Sequence, residues 1–206
     1  MEDSWLKKTG QSLYKFWDFV WNGEGILSWV TCFVLAYVLI KFAVYPLLGI
    51  VFGTQFPIVA VVSGSMEHDG TFENWWSSQC ASDIKQSDLY SQINIDKIKF
   101  MNYPFKNGFN KGDLMVLFGA GQPEVGEVIV FDMPGRNYPI IHRVIEAKEN
   151  GKFYKTKGDH NCGSDSLERN IPAEKLYGKA VLRVPYLGWL KIGFVELLTI
   201  INNKIN

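Results

Sequence analysis

A serine-containing turn is the first stretch of the chain whose residue types could perform chemistry. Ser63-Gly64-Ser65 follows a mostly β-branched run at 58–62, which predicts a short buried strand. The strand would fix a hydroxyl and the turn would expose it, so Ser65 is a candidate nucleophile. The same three residues would also fit a solvated turn without a chemical role.

A histidine in a second stretch is the candidate base for that serine. Residues 139–144 read Pro-Ile-Ile-His-Arg-Val and predict an extended strand. A neutral imidazole can accept a proton near physiological pH, which suits His142 to this task. On a strand His142 shares a face with Ile140 and Val144, a pattern that is also typical of a histidine packed in a core.

Two aspartates in a third stretch, at 157–166, could complete the arrangement. A carboxylate would hold the imidazole in one tautomer and stabilise its charged form, and Asp159 and Asp165 both qualify by type. Either could instead cap a turn. The three histidines show no metal-ligand spacing and no Cys-x-x-Cys pair is present, so we predict neither a metal site nor a cofactor.

One long apolar segment precedes these stretches. Lys41 is the only charged residue between 26 and 52, and roughly 20 apolar residues suffice for a helix to cross a bilayer. We therefore predict a transmembrane anchor, with Pro46 kinking or ending its helix. Lysines before the anchor, and no Lys or Arg between Lys41 and Lys85, predict an extracytoplasmic location for the rest of the chain. Only twelve residues lead from Gly53 to Ser65, so the candidate nucleophile should stay near the membrane.

Both ends of the chain are predicted to be helical and close to the membrane. In residues 1–25, an apolar stripe has the i, i+3, i+4, i+7 spacing of one helix face. This amphipathic helix could lie on the membrane surface or dock on the soluble domain. Residues 186–206 are apolar but carry Lys191 and Glu196, which favours a membrane-associated helix over a second span.

Residues 53–185 predict a mainly β domain built of antiparallel sheets. From residue 111 onward, short β-type runs alternate with turns rather than with helices. The more polar segment at about 70–110 is predicted to be an insertion, for which a cap over the site, a docking surface and no catalytic role all remain open. Cys80 and Cys162 would lie on the same side of the membrane, where a disulfide could join them.

The charge distribution argues against a nucleic-acid partner. The chain has 21 basic and 21 acidic residues, which are spread throughout and give a net charge of zero. Nucleic-acid binding usually needs a basic stripe or patch, and none is present. We therefore predict no nucleic-acid partner, whereas the apolar span at 26–52 predicts membrane lipid as a partner.

The three stretches, in this order behind an apolar span, resemble type I signal peptidases of the archaeal and endoplasmic-reticulum branch. The similarity rests on a Ser-Gly-Ser-Met box at 63–66, a His-Arg-Val box at 142–144 and a Gly-Asp box that begins at 158. It implies that Ser65 is the nucleophile, His142 the base and Asp165 the triad acid. Asp159 would then order the loop or support His142.

The resemblance also implies roles around the reacting atoms. Ser63 and the backbone N–H of Ser65 would donate hydrogen bonds to the oxyanion, and Met66 would line the substrate pocket. In the family a proline usually follows the methionine closely, whereas this chain continues Glu67-His68-Asp69.

The function implied is that of a membrane-bound serine endopeptidase that removes signal peptides from translocated preproteins after small residues. Its partners would be signal peptides, membrane lipid and the translocation machinery. It would act in the cell membrane or the endoplasmic-reticulum membrane, with the catalytic domain on the extracytoplasmic side.

Two alternatives remain open at this stage. One is a sortase-like cysteine transpeptidase that would use Cys162, His142 and either Arg143 or Arg169. The other is a non-catalytic, membrane-anchored β-domain that serves as a subunit.

Overall fold

The computed structural model describes residues 2–81, 83–136 and 138–205. The chain divides into two compact units, Met1–Val51 and Phe52–Asn206. The first unit is helical, whereas the second contains all the strands of the described residues and the three predicted chemical stretches.

The first unit consists of consecutive helices. Helix α1 spans Glu2–Asn22, and helix α2 spans Ile26–Leu39. The connection between them is tight, because the Ser28 hydroxyl donates a 2.6 Å hydrogen bond to the Phe19 carbonyl. Several large apolar side chains of α1 are exposed within the unit, among them Leu13 and Trp17. An amphipathic α1 is therefore observed, but its location on a membrane surface stays a prediction.

The predicted anchor forms one helical run. Helix α2 continues through a π-helical turn, Ile40–Val44, into helix α3, Tyr45–Phe52. The run Ile26–Phe52 has a mean hydropathy of 2.2, and within the described ranges it is the one helix long and apolar enough to cross a membrane. Pro46 does not end the helix. A π-helical turn ends at Val44, two residues before Pro46, and this irregular turn adjoins the point at which proline lacks a backbone donor.

The second unit is built on one antiparallel sheet, as the sequence predicts. The strands are β1 Ile58–Ala60, β2 Gln79–Ala81, β3 Ile84–Lys85, β4 Leu114–Phe118, β5 Val128–Phe131, β6 Ile140–Lys148, β7 Phe153–Lys157, β8 Ile171–Pro172 and β9 Leu176–Val184. Seven of them form a sheet in the order β1-β4-β9-β5-β6-β7-β8, in which every pair is antiparallel. Strand β6 lies between β5 and β7, whereas β1 lies at an edge.

The segment predicted to be an insertion folds as short helices around a hairpin. Helices α4 Phe72–Ser77, α5 Gln86–Ser91 and α6 Lys97–Met101 accompany the pair β2–β3. Thr71 and Asp96 cap α4 and α6, since each side chain accepts a hydrogen bond from a backbone N–H of the first turn. Three buried rings from these helices, Trp75, Tyr90 and Phe100, form an apolar cluster that includes Ile145 of β6.

A disulfide and a terminal helix complete the unit. Cys80 of β2 is bonded to Cys162, which joins the hairpin to the loop after β7. Helix α7, Gly188–Ile205, follows β9 and buries Ile192. The C-terminal helix is thus present, and its association with a membrane remains a prediction.

Candidate active site

The turn that carries Ser65 is held by backbone hydrogen bonds on both sides. Before the turn, Val61 exchanges backbone hydrogen bonds of 2.9 Å with Gly112 and Asp113, which extends the pairing of β1 with β4. At the turn itself, the Ser65 carbonyl accepts a 2.9 Å hydrogen bond from the His160 N–H. Ser65 is only partly buried, so its fixed hydroxyl remains open to an adjacent cleft.

The imidazole of His142 lies within hydrogen-bond distance of this hydroxyl. Its Nε2 is 2.9 Å from Ser65 Oγ. His142 is 5% exposed and faces inward from β6, where its backbone pairs with Ile129 of β5. A central strand paired on both sides leaves the ring little freedom to move. The structure therefore brings together the predicted nucleophile and the predicted base.

The carboxylate that contacts His142 is Glu168, which the sequence reasoning missed. Glu168 Oε2 lies 2.6 Å from His142 Nδ1 and also accepts a 2.8 Å hydrogen bond from the Thr156 hydroxyl. The Glu168 side chain is 5% exposed. Because a carboxylate only accepts hydrogen bonds, it places the imidazole proton on Nδ1 and leaves the Nε2 lone pair facing Ser65.

Asp165 does not make the contact predicted for it. Its side chain is exposed and its Oδ1 accepts a 3.1 Å hydrogen bond from the Leu167 N–H, which caps the 3₁₀ turn Ser166–Arg169. That backbone hydrogen bond lowers the pKa of the Asp165 carboxyl below its ordinary value. Asp165 thus shapes the turn that presents Glu168. The Asp-x-x-Glu spacing at 165–168 predicts only a local cap at the start of a helical turn, so no sequence signal pointed to the contact of Glu168 with His142.

Asp159 lies behind the site and is completely buried. Both of its carboxylate oxygens accept from the Arg143 guanidinium, at 2.9 and 2.7 Å. Burial by itself raises the pKa of Asp159, but the neighbouring charge of Arg143 and the hydrogen bond from His68 outweigh burial and hold the pKa well below the ordinary range. Among the described contacts, none joins Asp159 to His142. This geometry matches an aspartate that orders the loop.

A cleft of about 490 Å³ opens in front of Ser65. Its lining includes Ala60 and Val62 near the β1 edge, Ile141 of β6 and the hydroxyl of Ser63, whose Oγ is 3.2 Å from Ser65 Oγ. An apolar groove of about 450 Å³ shares several of these lining residues and extends to helix α7.

Met66 does not line the cleft, which corrects the sequence expectation. It is fully buried in a core cluster with Phe109, Met115 and Leu117. Its sulfur accepts a 3.4 Å hydrogen bond from the Asp159 N–H. A large apolar side chain next to the turn gains more from this burial than from exposure in the cleft.

Comparisons with known proteins identify the family. No family model matches the chain. It is 32% identical over 123 residues to the signal peptidase complex catalytic subunit SEC11 of Metarhizium robertsii, covering 47% of this chain and 69% of that protein. The chain belongs to the SEC11 family of endoplasmic-reticulum-type signal peptidases. The resemblance predicted from the three boxes is thereby confirmed.

Other members of the SEC11 family align with different shares of the chain. The SEC11 subunit of Scheffersomyces stipitis is 28% identical over 172 residues, which cover 79% of this chain and 80% of that protein. The subunit of Colletotrichum graminicola is 35% identical over 94 residues, or 41% of this chain. There the chain spans about half, 55%, of the relative's length.

The structure of this SEC11 homologue argues against the cysteine alternative. Cys162 is bonded to Cys80 and is therefore not a free thiolate. Arg143 donates to Asp159 and to backbone carbonyls behind the site rather than into the cleft. Cys162 and Arg143 are thus both engaged in structural contacts. Whether the arginine is Arg143 or Arg169, a sortase-like reaction lacks its nucleophile because Cys162 has no free thiol.

A buried lysine close to the site also makes its hydrogen bonds to groups other than Ser65. Lys157 Nζ donates to the side-chain oxygen of Gln86 and to the carbonyls of Gly158 and Asp159, at 2.9 to 3.2 Å. Burial lowers the pKa of Lys157 to about 8. None of its described hydrogen bonds reaches Ser65, which contacts His142 instead.

Proposed function

We propose that this chain is a membrane-bound serine endopeptidase that removes signal peptides from translocated preproteins after small residues. The observation that carries the proposal is the continuous series of contacts from Ser65 Oγ through the His142 ring to Glu168 at the edge of an open cleft. Membership in the SEC11 family supports the peptidase activity and the class of substrate.

The proposed reaction proceeds through an acyl-enzyme. Ser65 Oγ attacks the scissile carbonyl carbon while His142 Nε2 takes the hydroxyl proton, and Glu168 stabilises the resulting imidazolium. The Ser65 backbone N–H and the Ser63 hydroxyl donate to the oxyanion. His142 then gives its proton to the departing amine, and a water deprotonated by His142 releases the cleaved peptide from Ser65.

The cleft can accept an extended peptide. Strand β1 is at the sheet edge, so a substrate can pair with its free side as an added strand. Ala60, Val62 and Ile141 line the cleft on this side and would contact the side chains of a peptide bound in this way. Membrane lipid around the run Ile26–Phe52 and the translocation machinery are the proposed partners.

The proposed location is the endoplasmic-reticulum membrane or the cell membrane, with the second unit on the extracytoplasmic side. The disulfide Cys80–Cys162 supports this side, because such bonds persist in oxidising compartments and are rare in the cytosol.

Two substitutions test the proposal directly. The full chain in detergent or lipid vesicles is incubated with a preprotein, and cleavage is compared for the wild type, Ser65→Ala and His142→Ala. We expect both variants to lose at least about a thousandfold in kcat, since nucleophile and base act as a unit. Ser77→Ala is the control, because the hydrogen bonds of the Ser77 hydroxyl to described residues both lie within helix α4.

A labelling experiment separates the enzyme from a non-catalytic subunit. A serine-directed acylating reagent should modify Ser65 in the wild type and leave both variants unmodified. Cleavage by Ser65→Ala at a near-normal rate would refute the serine mechanism. Absence of both cleavage and labelling in the folded wild type would favour the non-catalytic β-domain.

A further inference from the structure

The buried carboxylate of Asp159 has more donors than its ion pair requires. Besides Arg143, the Tyr90 hydroxyl donates to Oδ1 at 2.8 Å, and His68 Nε2 lies 3.0 Å from Oδ2. All these side chains are buried. A buried charge is stable only when its hydrogen-bonding capacity is filled, so each donor stabilises the position of Asp159.

The additional donors come from the part of the chain between the serine box and β4, most of which the sequence left without an assigned role. His68 and Tyr90 lie between the serine box and β4, as does Trp75, whose indole N–H donates to the Asp159 carbonyl at 3.2 Å. The His68 ring stacks on Trp75 with a centroid distance of 3.6 Å and an interplanar angle of 5°. We call His68, Trp75 and Tyr90 the Asp159 clamp. The clamp holds both the carboxylate and the main chain of Asp159.

The main chain held by the clamp contacts the reacting groups. The His160 N–H donates to the Ser65 carbonyl at 2.9 Å. A Cβ placed on Gly158 would lie 2.6 Å from the Ser65 carbonyl oxygen and 2.9 Å from His142 Nε2. Residues 158–160 therefore form the back wall of the Ser65–His142 pair, and only a glycine fits at its closest point. Any displacement of this wall moves the serine relative to the imidazole.

We propose that His68 and Tyr90 are positioning residues for the reaction and that they act through Asp159 on the Ser65–His142 pair. This inference rests on the proposed function. It assigns to part of the 70–110 segment, together with His68 before it, a role behind the site. Since displacements of about 1 Å at reacting atoms can reduce rates a hundredfold, loosening Asp159 should lower the rate of acylation.

A pair of tyrosines offers a matched experiment. Tyr90→Phe removes only the hydroxyl that donates to Asp159. Tyr154→Phe is the control, because Tyr154 is equally buried, lies in a different core cluster and has no hydrogen-bond partner for its hydroxyl among the described residues. We expect Tyr90→Phe to lower kcat about tenfold with little change in KM, as for loss of a hydrogen bond to a charged group, and Tyr154→Phe to match the wild type.

Active-site titration distinguishes positioning from a loss of folded protein. If Tyr90 positions Ser65, the acylating reagent labels the same fraction of chains in Tyr90→Phe as in the wild type, but the labelling rate per site falls. If Tyr90 only stabilises the fold, the labelled fraction falls and the rate per site is unchanged. The second result would overturn the inference. The inference would also be overturned if Tyr90→Phe had both the labelling rate and the labelled fraction of the wild type.

Substitutions of His68 provide an independent test. His68→Gln keeps an N–H donor that can reach Asp159, whereas His68→Ala removes it. We expect the labelling rate per site to fall in His68→Ala and to be largely restored in His68→Gln, and equal rates in the two variants would count against the inference. Ser65→Ala separates the two proposals, because residual cleavage by that variant would refute the serine mechanism itself, whatever the clamp does.

Discussion

The structure makes Glu168, rather than Asp165, the carboxylate on which the rate should depend. Glu168→Gln is nearly isosteric and retains an oxygen that can accept from His142 and Thr156, but it removes the negative charge. Asp165→Asn is the matched control because asparagine caps turns as well as aspartate does. The two residues are three apart on the same loop. Each variant replaces a carboxylate by an amide, so the two variants differ in where the negative charge is removed.

The magnitude follows from the interaction that Glu168 makes with the imidazolium of the transition state. Both side chains are about 5% exposed and their closest atoms are 2.6 Å apart. Two unit charges about 4 Å apart at an effective dielectric constant near 20 interact by about 4 kcal/mol. At about 1.4 kcal/mol per factor of ten, Glu168→Gln should lower kcat about a thousandfold. Asp165→Asn should stay within about threefold of the wild type, since it keeps the cap and Asp165 is exposed.

The assay is cleavage of a preprotein by the full chain in detergent, with kcat normalised to the number of serines that an acylating reagent can label. Normalisation removes differences in folded fraction between the variants. The reasoning would be refuted if Asp165→Asn lost as much activity as Glu168→Gln. It would also be refuted if Glu168→Gln stayed within threefold of the wild type.

Three other perturbations test separate parts of the structure. Ser63→Ala should lower kcat about a hundredfold with little change in KM, because it removes one of the two proposed donors to the oxyanion, and an unchanged kcat would exclude that role. Cys80→Ser should lower the free energy of unfolding by about 4 kcal/mol, since the disulfide closes a sequence separation of 82 residues, while Cys32→Ser, which alters a free cysteine, should not. A reducing agent should then lower the melting temperature of the wild type but not of Cys80→Ser, and an equal effect on both would contradict this assignment. Because burial lowers the pKa of Lys157 to about 8 from 10.5, the unfolded chain binds more protons between these values, and stability should rise with pH there. Denaturant unfolding at pH 8 and 9.5 should show a rise of about 2 kcal/mol relative to Lys157→Gln, and an equal pH dependence in both proteins would contradict it.

The sequence was sufficient wherever a local pattern determines the outcome. A run of 27 residues with a single charge can satisfy its backbone in lipid only as a helix, so the helical run of the candidate anchor could be predicted from composition. The short β-type runs separated by turns predicted the antiparallel class, because such connections are too short for parallel crossovers. Ser65 and His142 were predicted because each lies in a box that resembles those of type I signal peptidases, and the structure places the two side chains within hydrogen-bond distance.

Only the tertiary structure showed which residues contact one another when they are distant in sequence or when several nearby candidates have the same chemistry. Asp165 and Glu168 have the same chemistry, and only the path of the 3₁₀ turn directs Glu168 to His142 and leaves Asp165 at the surface. Met66 adjoins the nucleophile in sequence, yet the fold turns its side chain into the core. His68 and Tyr90 reach Asp159 across 91 and 69 positions of sequence. No local pattern encodes such contacts, because they depend on how separate segments pack together.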